Sequence, residues 1–217
     1  MPDGVDHLLA EGRSQDVPVL IGMNANERSA SSPLVSTLSG QQWRAFLQKN
    51  FGAMGPKFAR LYPANTARQR ALAKQALQCD LGRAALYHWA QLWLAHAQKP
   101  VYAYLWTHAE PGPQSAKWGA FHSSEIPYVF QTLDRSPDRS FTALDRAIAA
   151  HMSAYWVNFV RTGDPNGVGL PHWPQLAGPQ GPLMRLGAHM QPLPMLRPAV
   201  LSDMQAFRAQ GGKTGLF

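Results

Sequence analysis

A single cysteine, Cys79, stands in 217 residues, so no disulfide can close within the chain. It lies in the apolar-periodic run ALAKQALQCDLGRAALYHWAQLWLAH, where it reads as a small buried thiol rather than a nucleophile. No stretch approaches ~18 uninterrupted apolar residues, which excludes a membrane-spanning helix. The opening MPDGVDHLLAEG lacks a charged segment followed by an apolar one, so it is not read as a signal peptide. Lys and Arg outnumber Asp and Glu by 20 to 13, giving a formal charge of +7, yet there is no basic tract. Arg13, Arg28, Arg44, Arg60, Arg83, Arg135 and Arg161 are scattered singly, unlike the clustered cations that follow a phosphate backbone. The charge is read as solvated surface, and no nucleic-acid partner is expected. His88, His96 and His108 make no metal-ligand spacing. No metal and no cofactor is expected, and His88 and His96 read as ends of helical stripes.

Also lacking is G-x-S-x-G, the strained strand-to-helix turn that presents a nucleophilic serine. GRSQD around Ser14 has no final glycine and precedes the first strand. Ser29, Ser31 and Ser32 have no glycine framing, and Ser123 and Ser124 adjoin a histidine too closely to form such a turn. No Gly-Gly loop offers oxyanion donors.

What is present suits one globular domain, with 45% apolar residues. VPVLIG, residues 17–22, reads as a strand buried on both faces and stopped by glycine. GQQWRAFLQKNFG sets Trp43, Phe46, Leu47 and Phe51 at helical spacing. The run from Phe58 to His96 reads as helices broken near Pro63 and at Gly82. Its expected core stripes are Leu72, Gln75, Ala76 and Leu77, then Leu86, Trp89, Ala90 and Trp93. VYAYLW, residues 101–106, is a second strand. A Gly/Pro/Ser-rich loop follows, then a long helix from near Phe141 that Gly163 and Pro165 terminate. Residues 167–198 read as irregular, and AVLSDMQAFRAQ as a last amphipathic run. Helices between strands give an α/β architecture, a mostly parallel sheet with flanking helices.

In such sheets, ligands and reactive side chains gather past the carboxyl ends of strands. Two polar loops occupy that position; one holds Glu27 and the other, within GAFHSSEIPYVF, holds His122. A carboxylate followed by a histidine, each on its own post-strand loop, matches the acid-then-base order of α/β-hydrolases. The residues alone also allow a solvated glutamate and a structural histidine. Glu125 is a competing carboxylate, although three residues from His122 it is expected to shape the loop. Trp118 and Phe121 could line a pocket or simply pack.

VPVLIGMNANE, VYAYLW, GAFHSSEIPYVF and YWVNFVRTGDPNG…LPHWP occur in this order between Val17 and Pro174. Together they closely resemble the carboxyl-terminal part of type-B carboxylesterases, the α/β-hydrolase family of cholinesterases and para-nitrobenzyl esterases. The resemblance implies that residues 1–217 form the carboxyl-terminal segment of a single carboxylesterase domain. It implies Glu27 as the triad acid, His122 as the general base, and Tyr155, Trp156, Phe159 and RTGDPNG as packing features. It implies a small-molecule carboxylic ester as substrate and the amino-terminal half of such an enzyme as partner. The missing elbow is the main departure, and it makes a chain inactive alone the expectation. A second departure is Arg28 where glycine often follows the acid; a cation there favours an ionised Glu27. The alternatives are a non-catalytic binding or adhesion protein of this family and a truncated gene product.

Overall fold

Apolar runs with β-branched and aromatic residues become the strands of one sheet. The computed structural model describes residues 4–29, 38–178 and 180–214. Four strands, β1 (Val19–Asn24), β2 (Val101–Trp106), β3 (Leu183–Leu186) and β4 (Gln191–Leu193), lie in the order 1-2-3-4. β1, β2 and β3 run parallel, and β4 is antiparallel to β3. The expected α/β sheet is therefore mixed, with a parallel majority. Helices α1 (Val5–Ala10), α2 (Gly40–Phe51), α3 (Gly55–Leu61) and α4 (Ala67–Leu94) precede β2. Between β2 and β3 come the short α5 (Ser115–Trp118) and α6 (Ile126–Val129) and the long α7 (Ala143–Thr162); α8 (Pro198–Ala209) follows β4.

The period-2 alternation of β2 divides the core. Val101, Ala103 and Leu105 face an apolar cluster shared with α2, α3, α4 and α8. Tyr102 and Trp106 face the other way, into an aromatic cluster with α6, α7 and Trp173, against which Tyr104 also packs. Val101, Ala103 and Trp106 are at most 1% exposed, so both faces of the central strand are covered, as a parallel sheet requires.

Local signals set the helix limits. Ser39 and Thr66 form capping boxes with Gln42 and Gln69, and Thr142 forms one with Asp145. α7 ends at Gly163 in the left-handed region, φ 78°, where the sequence placed its stop. A Cβ at Gly163 would come within 2.9 Å of Pro18 Cγ, so the end of α7 abuts the approach to β1.

Five sequence expectations are corrected. β1 begins at Val19, not Val17, because Pro18 has no N–H to give the ladder; the first pairing bond is Val19 N–H to Pro100 O, 2.9 Å. β1 is also half-buried over Val19–Gly22 rather than enclosed, for it is an outer strand among the described residues. α4 runs unbroken through Gly82, which is buried. Its first stripe is offset: Leu72 is 54% exposed and Ala76 is exposed, whereas Ala73, Leu77, Ala84, Tyr87 and Ala90 face the core. One residue moves a helix face by about 100°, enough to turn Leu72 outward. Finally, the segment read as irregular contains β3 and β4.

Candidate active site

β1 and β2 end in register, with Asn24 opposite Trp106, and the two polar loops leave from these residues. The backbone draws the loops together: Ala25 N–H donates to Trp106 O, 2.8 Å, and Asn26 N–H to Ala120 O, 3.0 Å. The Asn26 side-chain oxygen accepts from Ala120 N–H, 3.0 Å. Asn26 and Phe121 thereby form an isolated parallel bridge. Glu27 and His122, separated by 95 positions, become neighbours across that bridge.

His122 Nδ1 lies 2.6 Å from Glu27 Oε2. The other carboxylate oxygen, Oε1, accepts from the Asn24 backbone N–H at 2.8 Å. The carboxylate is held on both oxygens and largely enclosed, its side chain 10% exposed, while the imidazole is 62% exposed. A carboxylate that accepts from Nδ1–H fixes the ring's tautomer and orientation. The protein thus presents a histidine at the surface, backed by a sheltered acid.

Ser123 gives the His122 loop its shape by taking φ 70°, unusual for a side-chain-bearing residue. Ser124 is 1% exposed, and its Oγ accepts from Trp106 Nε1–H at 2.9 Å. Glu125 accepts from Asn24 Nδ2–H; as expected it shapes the loop, through a partner 101 positions away rather than a local one. Tyr104, packed beneath, has its phenol pushed well above the ordinary range by burial and by the Glu125 and Glu27 carboxylates, so it stays protonated.

Trp118 and Phe121 line a cavity of about 410 Å³ beside the loop, together with Glu110 and Arg139. Glu110, 8% exposed, is ion-paired to Arg139, and burial raises its pKa. Arg28 lines a separate hollow with Asp6 and Leu81.

The remaining candidates have structural partners. His88 Nε2 meets Asp6 Oδ2 at 3.0 Å and His96 Nε2 meets Ala10 O at 3.0 Å, tying α4 and the turn after it to α1. His108 Nε2 meets Asp145 Oδ1 at 2.7 Å. Cys79 is a weak nucleophile, its thiol pushed up to about 12 by burial. Ser14 is exposed and Ser29 is buried; Ser31 and Ser32 lie outside the described residues. Among the described residues no His, Cys, Asp and Glu group could hold a metal ion, and no helix is long and apolar enough to cross a membrane.

Sequence reasoning missed Asn24, Asn26 and Trp106 as supports of this pair. The available signal was Asn24 itself, an amide closing an otherwise apolar strand where a buried polar group needs a partner.

Comparisons with known proteins agree with the architecture. Two solved PNB esterases, one thermophilic, superimpose with TM-scores of 0.65 and 0.66 at 22% and 21% identity, each covering 94% of this chain and 41% of theirs. The fumonisin B1 esterase of Sphingopyxis macrogoltabida is 30% identical over 196 residues, 83% of this chain and 34% of that protein. Human cocaine esterase is 29% identical across 100% of this chain and 40% of its own length. The chain thus spans between a third and two-fifths of these curated relatives. The model of the Carboxylesterase family matches residues 1–200, and the chain belongs to that family.

Proposed function

We propose that this chain supplies the acid and the general base of a carboxylic ester hydrolase working by the Ser-His-Glu mechanism. One observation carries the reading: Glu27 Oε2 lies 2.6 Å from His122 Nδ1, on loops that leave adjacent strand ends. With Nδ1–H given to Glu27, Nε2 is the nitrogen that takes a proton from an attacking hydroxyl. It then returns the proton to the leaving alcohol, and the Glu27 carboxylate stabilises the imidazolium between those steps. The serine attacks the ester carbonyl to give an acyl-enzyme, which water hydrolyses. No cofactor enters this chemistry.

No serine of residues 1–217 sits in a G-x-S-x-G turn, so the nucleophile and the oxyanion donors belong to a second polypeptide part, the upstream half of a carboxylesterase domain. The geometry favours this over a binding or adhesion role, since a recognition surface has no use for a carboxylate held on both oxygens behind a histidine.

The test is hydrolysis of a short-chain aryl ester by the chain alone and after addition of an upstream carboxylesterase half. Saturable turnover is expected only in the mixture. His122→Ala abolishes it, and Glu27→Gln lowers kcat by about 10⁴-fold, as loss of the orienting acid does in serine hydrolases. Saturable turnover by the isolated chain, blocked by an organophosphate, would overturn the assignment.

A further inference from the structure

We infer that Asn24 is a positioning residue, a buried amide that, beside the Asn26 bridge, ties the Glu27 carboxylate to the residues flanking His122. The inference rests on the acid–base reading of Glu27 and His122.

Asn24 is the last residue of β1 and 1% exposed. Its backbone N–H donates to Glu27 Oε1 at 2.8 Å. Its side-chain Nδ2 donates to Phe121 O at 2.7 Å and to the carboxylate of Glu125. Both side-chain partners can only accept, which fixes the amide orientation without ambiguity. The two N–H bonds therefore bracket His122, one on the residue before it and the other three residues after. A single residue thus fixes the carboxylate from one side and the imidazole's backbone from the other.

The donor half of the amide is fully used, whereas its Oδ1 is buried with no hydrogen-bond partner. What singles the residue out is where its N–H groups end: one on the Glu27 carboxylate and two on the loop that carries His122. The imidazole is 62% exposed, so the loop backbone that carries it decides where the ring stands relative to Glu27. The loop's Ser123 carries a left-handed φ of 70°, a conformation that persists only when its surroundings enforce it.

The experiment reads the His122 tautomer in the isolated chain. The two ring ¹⁵N chemical shifts are measured at roughly pH 9, above the ordinary histidine range, with Glu27→Gln as reference. Wild type is expected to hold Nδ1–H. Asn24→Leu, of matched size, and Asn24→Ala are expected to lose that preference and drift toward the Nε2–H form of imidazole in water. Glu125→Gln, whose amide oxygen still accepts, retains the wild-type shifts, and Glu125→Ala moves part of the way. An Asn24 variant with native amide shifts elsewhere and an unchanged His122 tautomer overturns the inference. Should neither Asn24 variant fold, an unchanged tautomer in Glu125→Ala, where the altered side chain is partly exposed, does the same. Wild type matching Glu27→Gln would instead remove the acid–base reading itself, so the two failures are distinguishable.

Discussion

The two faces of the sheet are built by different physics. Toward α2, α3, α4 and α8 the core is mainly aliphatic, with Leu47, Leu77, Val200 and Met204 at most 2% exposed. Apart from Tyr62 O–H donating to Asp80 at 2.8 Å and a Phe51–Phe58–Phe207 ring cluster, its contacts are mostly non-directional, and many arrangements of similar volume would satisfy them. Toward α6 and α7 the core is aromatic and its polar tips are engaged. Trp106 donates to Ser124, Tyr128 to Asp145, Tyr155 to Pro171 O and Trp173 to Ala103 O. Tyr102, Tyr104, Tyr155 and Trp156 also meet Trp173 ring to ring, at centroid distances of 5.2–6.4 Å. One face supplies bulk and the other supplies direction. The His122 loop is fastened to the directional face, where a hydrogen bond can fix an angle that packing alone leaves soft.

This contrast can be broken most strongly on the aliphatic face. Leu77 is fully buried in α4, and Leu77→Ala is expected to destabilise the fold by about 2–5 kcal/mol. Denaturant unfolding would show the lower midpoint. The His122 ¹⁵N shifts of the molecules still folded should match wild type, because no directional contact to the loop is touched. A shifted tautomer in this variant would mean that the two faces are not separable.

Trp106→Phe sharpens the comparison with a smaller energy and a more local consequence. The ring stays, but Ser124 Oγ, accepting at 2.9 Å, loses its donor, at about 1–3 kcal/mol for an unsatisfied buried group. Here the His122 tautomer should change despite the milder destabilisation. Smaller again is Thr142→Ala at the start of α7, which removes the capping box with Asp145 and is expected to lower stability by about 1 kcal/mol. A thermal melt would register it, and a midpoint equal to wild type would show the cap to be idle.

How much of this was legible beforehand follows the same division. VYAYLW shows its alternation openly, so β2 and the two-faced core could be read from residues 101–106. Helix ends at Thr142 and Gly163 carry local chemistry. β3 and β4 could not be read, being four and three residues long among prolines, with β3 paired to the distant β2 and β4 paired to β3. The α4 stripe slipped by one residue because Leu72 is apolar enough to pass as core while Ala73 takes that place. Glu27 and His122 could be named because loops after strands are where such residues sit, and the family resemblance gave them roles. Asn24 and Trp106 could not, since their work is done on residues about 100 and 18 positions away, and spacing in the chain carries no trace of it.

The last effect does not vary with pH near neutrality and emerges only on acidification. Asp145 is 1% exposed, and burial alone would raise its pKa. Hydrogen bonds from Thr142 and His108, with Tyr128 adding to them, outweigh burial and bring the carboxyl down to about 2. A carboxyl whose folded pKa lies below its ordinary value of about 3.9 binds more protons when unfolded, so stability rises with pH between the two values. The contribution is complete above pH ~4 and is lost as pH falls through about 2. Other carboxylates titrate in the same window, so the informative quantity is a difference between variants. Asp145→Asn, compared with wild type by calorimetry at pH 5 and near pH 2.5, should lose less stability on acidification, because its side chain no longer takes up a proton. Leu77→Ala should keep the wild-type slope, being destabilised equally at both. Equal slopes in all three proteins would show that the network around Asp145 does not hold its charge. The directional face would then rest on packing, as the aliphatic face does.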